Sequence, residues 1–159
     1  MEPRPSLTVA VVFERRKSPS QWEDWGFRVV DVVIDNGQFG AQARLLRDDG
    51  SVALIVYPGL SLALFRDEAE GYYLNLTAGQ PVWFVMWRID ENDASRARPE
   101  IVTLSYNEAA RFLDAQERVD NVPLDPEVRE LLQLFTDENY KPEPKKRRRP
   151  ASFLAPDKR

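Results

Sequence analysis

Apolar and polar residues alternate in short runs over about the first 105 residues of the chain. The runs are rich in Val, Ile, Tyr, Trp and Phe, and Gly, Asp, Asn and Pro separate them, which is typical of antiparallel strands joined by tight turns. This pattern predicts an antiparallel β-sheet or a partly open β-barrel. The predicted strands are residues 8–14, 26–34, 41–46, 52–57, 61–65, 72–76, 81–89 and 101–105.

One predicted strand is apolar on both of its faces, because residues 82–87 contain no polar side chain. Such a strand is either covered on both sides or presents one face to another molecule. Large aromatic side chains also fill small β cores, so both interpretations stay open. Core packing is the first interpretation, and under the second we name Trp83 and Trp87 as candidate partner-binding residues.

The period of the apolar residues changes from two to about 3.6 after residue 105. Ser105 and Glu108 have the spacing of a capping box, which marks the start of a helix. Asp125 is a suitable N-cap, and Pro126 suits the first position of a second helix. The predicted helices are residues 106–118 and 126–138.

The composition of the chain changes abruptly at Lys141. Residues 141–159 contain four prolines and eight basic residues, and they lack the apolar area that a core needs. The sequence therefore predicts an acidic α+β domain, residues 1–140, in which two C-terminal helices follow the sheet, and then a disordered basic tail. The candidate partner-binding residues of this tail are Lys145, Lys146, Arg147, Arg148, Arg149, Phe153 and Leu154.

The basic run in the tail has three interpretations. It docks to an acidic protein patch, it contacts the phosphates of nucleic acid or anionic lipid, or it is only a solvated end. The apolar pair Phe153 and Leu154 favours docking to a protein, since apolar residues serve no purpose in a purely solvating segment. Protein docking is therefore the first hypothesis, and a nucleic-acid-binding regulator acting through the tail is the alternative.

The formal net charge of −4 conceals two oppositely charged parts of the chain. Residues 141–159 hold eight basic and two acidic residues, whereas residues 1–140 hold 14 basic and 24 acidic residues. Opposite charges attract where salt does not screen them. We therefore expect the tail to fold back on the acidic domain until a partner with a stronger negative patch displaces it.

The chain contains no cysteine and no histidine. Their absence excludes disulfides, thiolate and imidazole metal ligands, cysteine nucleophiles and Ser-His-Asp triads within this chain. The seven glycines fit neither the Rossmann nor the P-loop pattern. We therefore expect a protein that is not an enzyme and that has no catalytic residues, no metal and no cofactor.

Short acidic clusters are the remaining candidates for chemistry. Paired carboxylates divide acid and base roles in some enzymes and bind Mg²⁺ or Ca²⁺ in other proteins. Here each cluster falls in a predicted turn or at a strand edge, so we interpret them as solvated turns and keep a carboxylate enzyme as the third hypothesis. The clusters are residues 23–24, 48–49, 67–70 and 90–93.

The start of the chain does not have the features of a signal peptide. Its apolar run is short, and Glu2, Pro3 and Pro5 stand where a basic flank is expected. No stretch approaches the roughly 18 uncharged apolar residues that a membrane helix needs. We expect a cytoplasmic protein without a membrane span.

Five segments are distinctive enough to compare with known families: residues 9–16, 64–76, 81–88, 102–111 and 139–150. Together they resemble the bacterial domain-of-unknown-function family thirty-three-oh-five, over nearly the whole chain. Members of that family are typically encoded beside genes for formate dehydrogenase and other molybdenum enzymes. The resemblance therefore implies a non-catalytic accessory protein for the assembly or maturation of a molybdenum-dependent oxidoreductase, with a subunit of that enzyme as its partner.

Overall fold

The structure, a computed structural model, describes residues 5–18 and 25–142. Its elements in chain order are β1 (Ser6–Lys17), β2 (Trp25–Ile34), β3 (Arg44–Asp48), β4 (Val52–Ala63), α1 (Ala69–Thr77), β5 (Val82–Asp90), β6 (Asp93–Thr103), α2 (Tyr106–Asp114), β7 (Arg118–Pro123) and α3 (Pro126–Asn139). A single 3₁₀ turn, Arg66–Glu68, leads into α1. The fold is α+β, as the sequence predicts.

The described strands form two antiparallel sheets. The first sheet has the order β2-β1-β4-β3, and the second has the order β6-β5-β7. The described strands therefore form two sheets rather than one, and neither of these sheets closes into a barrel. The alternation of apolar residues shows which positions are half-buried, but it does not show which strands share a sheet.

The main core lies between the two sheets and the helices. β1 contributes Val9, Val11 and Phe13 to this core, while Trp83 and Val85 enter it from β5. A smaller cluster on the other face of the first sheet contains Ala10, Val12 and Val56. Successive residues of β1 therefore face two different apolar clusters, as expected for a strand covered on both faces.

The two strands predicted at residues 52–57 and 61–65 are one continuous strand, β4. Pro58 and Gly59 do not reverse the chain but form a bulge, because the register of β4 against β1 shifts between Val9 and Val11. Gly59 has a φ of 81°, a conformation that glycine adopts without strain. The Asp35 carboxylate accepts a hydrogen bond from the Gly59 amide at 2.7 Å and so holds the bulge in place.

The strand predicted at residues 72–76 is wrong, because these residues belong to helix α1. Tyrosine and leucine in a row favour a strand, yet the buried residues Ala69, Tyr72 and Leu76 follow a helical spacing. Burial of that face decides the structure against local propensity. The Asn75 side chain then fixes α1 to β5, donating to the carbonyl oxygens of Val82 and Leu104 at 2.8 and 2.9 Å.

The helix predicted over residues 106–118 ends at Asp114, and strand β7 follows it. Gln116, with a φ of 65°, turns the chain back so that β7 pairs with β5. β7 is hard to find in the sequence because its apolar residues, Val119 and Val122, are three positions apart and do not alternate. The described chain therefore has three helices, and a strand separates the last two.

The predicted capping positions of α2 and α3 are occupied as expected. Ser105 accepts a hydrogen bond from the Glu108 amide at 3.0 Å, which is one half of a capping box. The other half is absent, because the Ser105 amide donates to the Thr103 hydroxyl instead. Asp125 stands at the N-cap of α3 and Pro126 at its first turn, although the Asp125 side chain makes no capping hydrogen bond. No helix of residues 5–18 or 25–142 is long and apolar enough to cross a membrane.

Candidate functional site

The two tryptophans predicted to face a partner lie in the core instead. Trp83 is completely buried and Trp87 is 6% exposed. The reason is the central position of β5, which pairs with β6 on one side and β7 on the other while the first sheet covers its face. Trp83 and Trp87 therefore follow the core-packing alternative, and neither is available to a partner in this structure.

The tail residues predicted to bind a partner lie outside the described residues. These residues are Lys145, Lys146, Arg147, Arg148, Arg149, Phe153 and Leu154. The last described residues lie beside α1, because the ring of Tyr140 stacks on that of Tyr73 with centroids 4.6 Å apart. The structure therefore defines only the position from which the tail begins.

The acidic clusters at residues 48–49 and 90–93 lie at turns, whereas residues 67–70 belong to the 3₁₀ turn and the start of α1, where Glu68 binds Ser105 and Arg111. The Asp49 carboxylate accepts hydrogen bonds from the amides of Val52 and Ser51 at 2.8 and 3.1 Å, and these bonds lower the pKa of Asp49. Asp93 accepts similar bonds from the amide and hydroxyl of Ser95. These carboxylates stabilise turns by satisfying backbone amides, as Asp commonly does. The cluster at residues 23–24 lies outside the described residues.

A cleft of about 180 Å³ lies between the first sheet and strand β6, and three arginines line it. Arg15 comes from β1, Arg44 from β3 and Arg96 from β6, so the cleft joins positions more than 80 residues apart in the chain. No local motif connects these arginines, and sequence reasoning therefore missed the site. The only signal in the sequence is that the folded domain is rich in arginine and has a single lysine before the tail.

The floor of the cleft is aromatic. Phe13, Phe27 and Tyr57 line it, and Phe13 meets Tyr57 edge to face with ring centroids 5.7 Å apart. Trp87 supports the floor from the core, since its ring lies 5.6 Å from that of Phe13 and 6.2 Å from that of Phe27. Such edge-to-face contacts fix the rings relative to one another. The floor is therefore a rigid apolar surface.

Arg15 is held in the wall of the cleft by its neighbours. One terminal nitrogen of its guanidinium donates to the Ser95 carbonyl oxygen at 3.0 Å, and the guanidinium lies 4.7 Å from the centroid of the Trp25 ring. Its Nε is buried and has no hydrogen-bond partner among the described atoms. A buried donor without a partner costs free energy, and the ring nitrogens of Trp83 and Trp87 are buried in the same way.

The cleft arginines differ from most other arginines of the domain. Arg15, Arg44 and Arg96 form no ion pair with a carboxylate within the described part of the chain. Asp93 is the acidic residue near them: bonds from Ser95 lower its pKa, and the charges of Arg96 and Arg15 lower it further. Five other arginines do have carboxylate partners: Arg16, Arg28, Arg88, Arg98 and Arg111.

The chemistry of the cleft combines positive charge with apolar surface. Guanidinium groups bind carboxylates and phosphates through directed pairs of hydrogen bonds, and the aromatic floor favours an apolar group. One wall is the edge strand β3, whose five residues are all exposed. The arrangement therefore suits a ligand that is both anionic and partly apolar.

Most of the chain matches a known protein family. Residues 8–149 match the family described as protein of unknown function (DUF3305). The chain belongs to this family. The match runs from the third residue of β1 through α3 and therefore includes every residue that lines the cleft. No curated protein and no solved structure is significantly similar to the chain.

Proposed function

We propose that this DUF3305 protein is a non-catalytic binding protein that docks to a partner protein through the arginine-lined cleft. The observation that supports the proposal is the cleft itself, whose lining combines Arg15, Arg44 and Arg96 with aromatic residues. Interfaces are enriched in arginine and aromatic residues, which combine directed hydrogen bonds with apolar contact. The preferred partner surface is acidic with an apolar centre.

The proposed partner is a subunit of a molybdenum-dependent oxidoreductase such as formate dehydrogenase, whose assembly or maturation the protein assists. This choice rests on the gene neighbourhood that the family resemblance implies. The basic tail, with Lys145 to Arg149 and the pair Phe153 and Leu154, provides a second contact to the same acidic surface. The cleft and the tail both attract a negatively charged surface, so they act together on one partner.

A nucleic-acid-binding regulator is the competing hypothesis. A base-stacking platform needs exposed aromatic faces next to basic residues. In the cleft, Phe13 is only 1% exposed, while Phe27 and Tyr57 are partly buried. These rings offer little exposed area for base stacking, so nucleic acid remains a hypothesis for the tail alone.

Co-purification from the native host tests the proposed function. The full chain is compared with Arg44→Glu, with a deletion of residues 141–159 and with Arg129→Glu. Arg129 is an exposed residue of α3 outside the cleft, so its reversal makes the same change of net charge. We expect oxidoreductase subunits to copurify with the full chain and with Arg129→Glu, and Arg44→Glu to recover at least about tenfold less.

Two results would count against parts of this proposal. If the full chain recovers no molybdenum enzyme, the proposed partner is wrong. If deletion of residues 141–159 leaves the recovered proteins unchanged, the tail takes no part in docking. Retention on RNA or DNA that disappears when residues 145–149 are replaced by alanine would favour the regulator hypothesis instead.

A further inference from the structure

We propose that the cleft holds an extended acidic segment of the partner, which pairs with the free edge of β3 and places an apolar side chain on the aromatic floor. This inference rests on the proposed function as a binding protein and names the chemistry of what is bound. It does not depend on which enzyme the partner is.

The first observation is the free edge of β3. This strand is the last in the first sheet and pairs only with β4 among the described residues. Its two leucines are unusually exposed, Leu45 at 54% and Leu46 at 40%. An edge strand offers backbone amides and carbonyls to another strand, and exposed apolar side chains add contact area to such pairing. The edge is therefore suited to one more strand.

The second observation is the charge around this edge. Arg44 and Arg47 belong to β3, and Arg15 and Arg96 line the same cleft from strands β1 and β6. Asp48 at the end of β3, Asp49 directly after it and Asp93 are nearby acids. Charged residues on an edge discourage unwanted pairing. Here the positive charge discourages basic segments, including the tail of this chain, and attracts acidic ones.

The third observation is the size of the cleft. About 180 Å³ is smaller than the roughly 300 Å³ at which pockets for cofactors and drug-sized ligands begin. The volume suits one or two apolar side chains. β3 also carries a bulge between Leu45 and Arg47, which limits regular pairing to a short stretch. The occupant is therefore a short segment rather than a cofactor or a long strand.

Binding of synthetic peptides to the full chain tests the inference. The probe is a fluorescent eight-residue peptide in which Asp or Glu alternates with Leu or Phe. Its binding is measured by fluorescence anisotropy at low salt, where charges are least screened. Two further peptides carry backbone N-methyl groups at odd or at even positions. An added strand donates from alternate residues only. We therefore expect one methylated peptide to bind at least about tenfold more weakly and the other to bind nearly as the parent does.

Charge is tested with the same assay. A peptide with Lys in place of its acidic residues should not bind, and Arg44→Glu should weaken binding of the acidic peptide at least about tenfold, whereas Arg129→Glu should not. No binding of the acidic peptide at about 1 mM, equal binding of both methylated peptides, or equal binding of the basic peptide would each overturn the inference. If the peptide assay overturns the inference but the oxidoreductase still copurifies with the full chain, the proposed function stands.

Discussion

Gly71 of α1 lies directly against the side chain of Ser105, the N-cap residue of α2. A Cβ added at Gly71 would overlap the Ser105 hydroxyl oxygen and stand 3.1 Å from the Asn107 amide. The two helices can approach this closely only because residue 71 has no side chain. Glu68 strengthens the contact by accepting hydrogen bonds from the Ser105 hydroxyl at 2.6 Å and from Arg111 at 2.7 Å.

Replacing Gly71 by alanine should therefore destabilise the fold. The added methyl group must push α1 away from α2, and overpacking of this kind costs about 1–3 kcal/mol. Urea unfolding measures the loss of free energy. Gly79→Ala is the matched control, because nothing lies within 4 Å of its Cβ position, and we expect a change within about 0.5 kcal/mol. Equal effects of both substitutions would show that the helices do not meet at Gly71.

Asn75 should be the most sensitive polar residue of the core. It is 1% exposed, and its side chain makes three hydrogen bonds, two to Val82 and one to Leu104. Asn75→Ala leaves these backbone groups buried without partners, which should cost about 3 kcal/mol. Asn107→Ala removes only an exposed bond to Glu70 and should cost less than about 0.5 kcal/mol. Thermal or urea unfolding distinguishes the two outcomes.

Glu14 should make stability depend on pH in the acidic range. Hydrogen bonds from Arg28, at 3.0 Å, and from Arg16 lower the pKa of the Glu14 carboxyl in the folded protein. Because the folded state holds the charged form, the stabilisation is present above the unfolded pKa, about 4.3, and is lost as pH falls through the lowered folded pKa.

The variant Glu14→Gln isolates this contribution. At pH 7 it should be less stable than the wild type by about 1 kcal/mol, a modest value because both arginines are largely exposed. The difference should shrink as the pH is lowered from about 5 to about 3. Glu130→Gln on α3 changes the same charge without an ion pair in the described structure, and its effect should stay small at every pH. A Glu14→Gln difference that grows in acid would contradict the assigned bonds.

Local pattern was sufficient for much of the fold. β1, β2 and β5 follow from their short apolar runs bounded by turn residues, and α3 follows from Pro126 and the apolar stripe behind it. Pattern failed where distant contacts decide the outcome. α1 is a helix because Tyr72 and Leu76 share a buried face, and β7 is a strand because β5 offers it an edge.

The candidate site could not be predicted in the same way. Arg15, Arg44 and Arg96 belong to three strands, and they become neighbours only when β1 is paired between β2 and β4 and the second sheet packs beside them. An isolated exposed arginine carries no local signal of its partners. The tryptophans of β5, by contrast, are conspicuous in the sequence, but they fit either a core or a partner-binding surface. The packing of the two sheets buries them in the core.

Site-specific photo-crosslinking shows whether the partner docks at the arginine-lined cleft. A benzophenone side chain is placed at Leu45, in the cleft, or at Leu134 of α3, which is similarly exposed at 63% against 54%. After irradiation in the native host, we expect a crosslink from position 45, but not from position 134, to an acidic segment of a molybdenum-dependent oxidoreductase. The same adducts from both positions, or none from position 45, would contradict docking at the cleft.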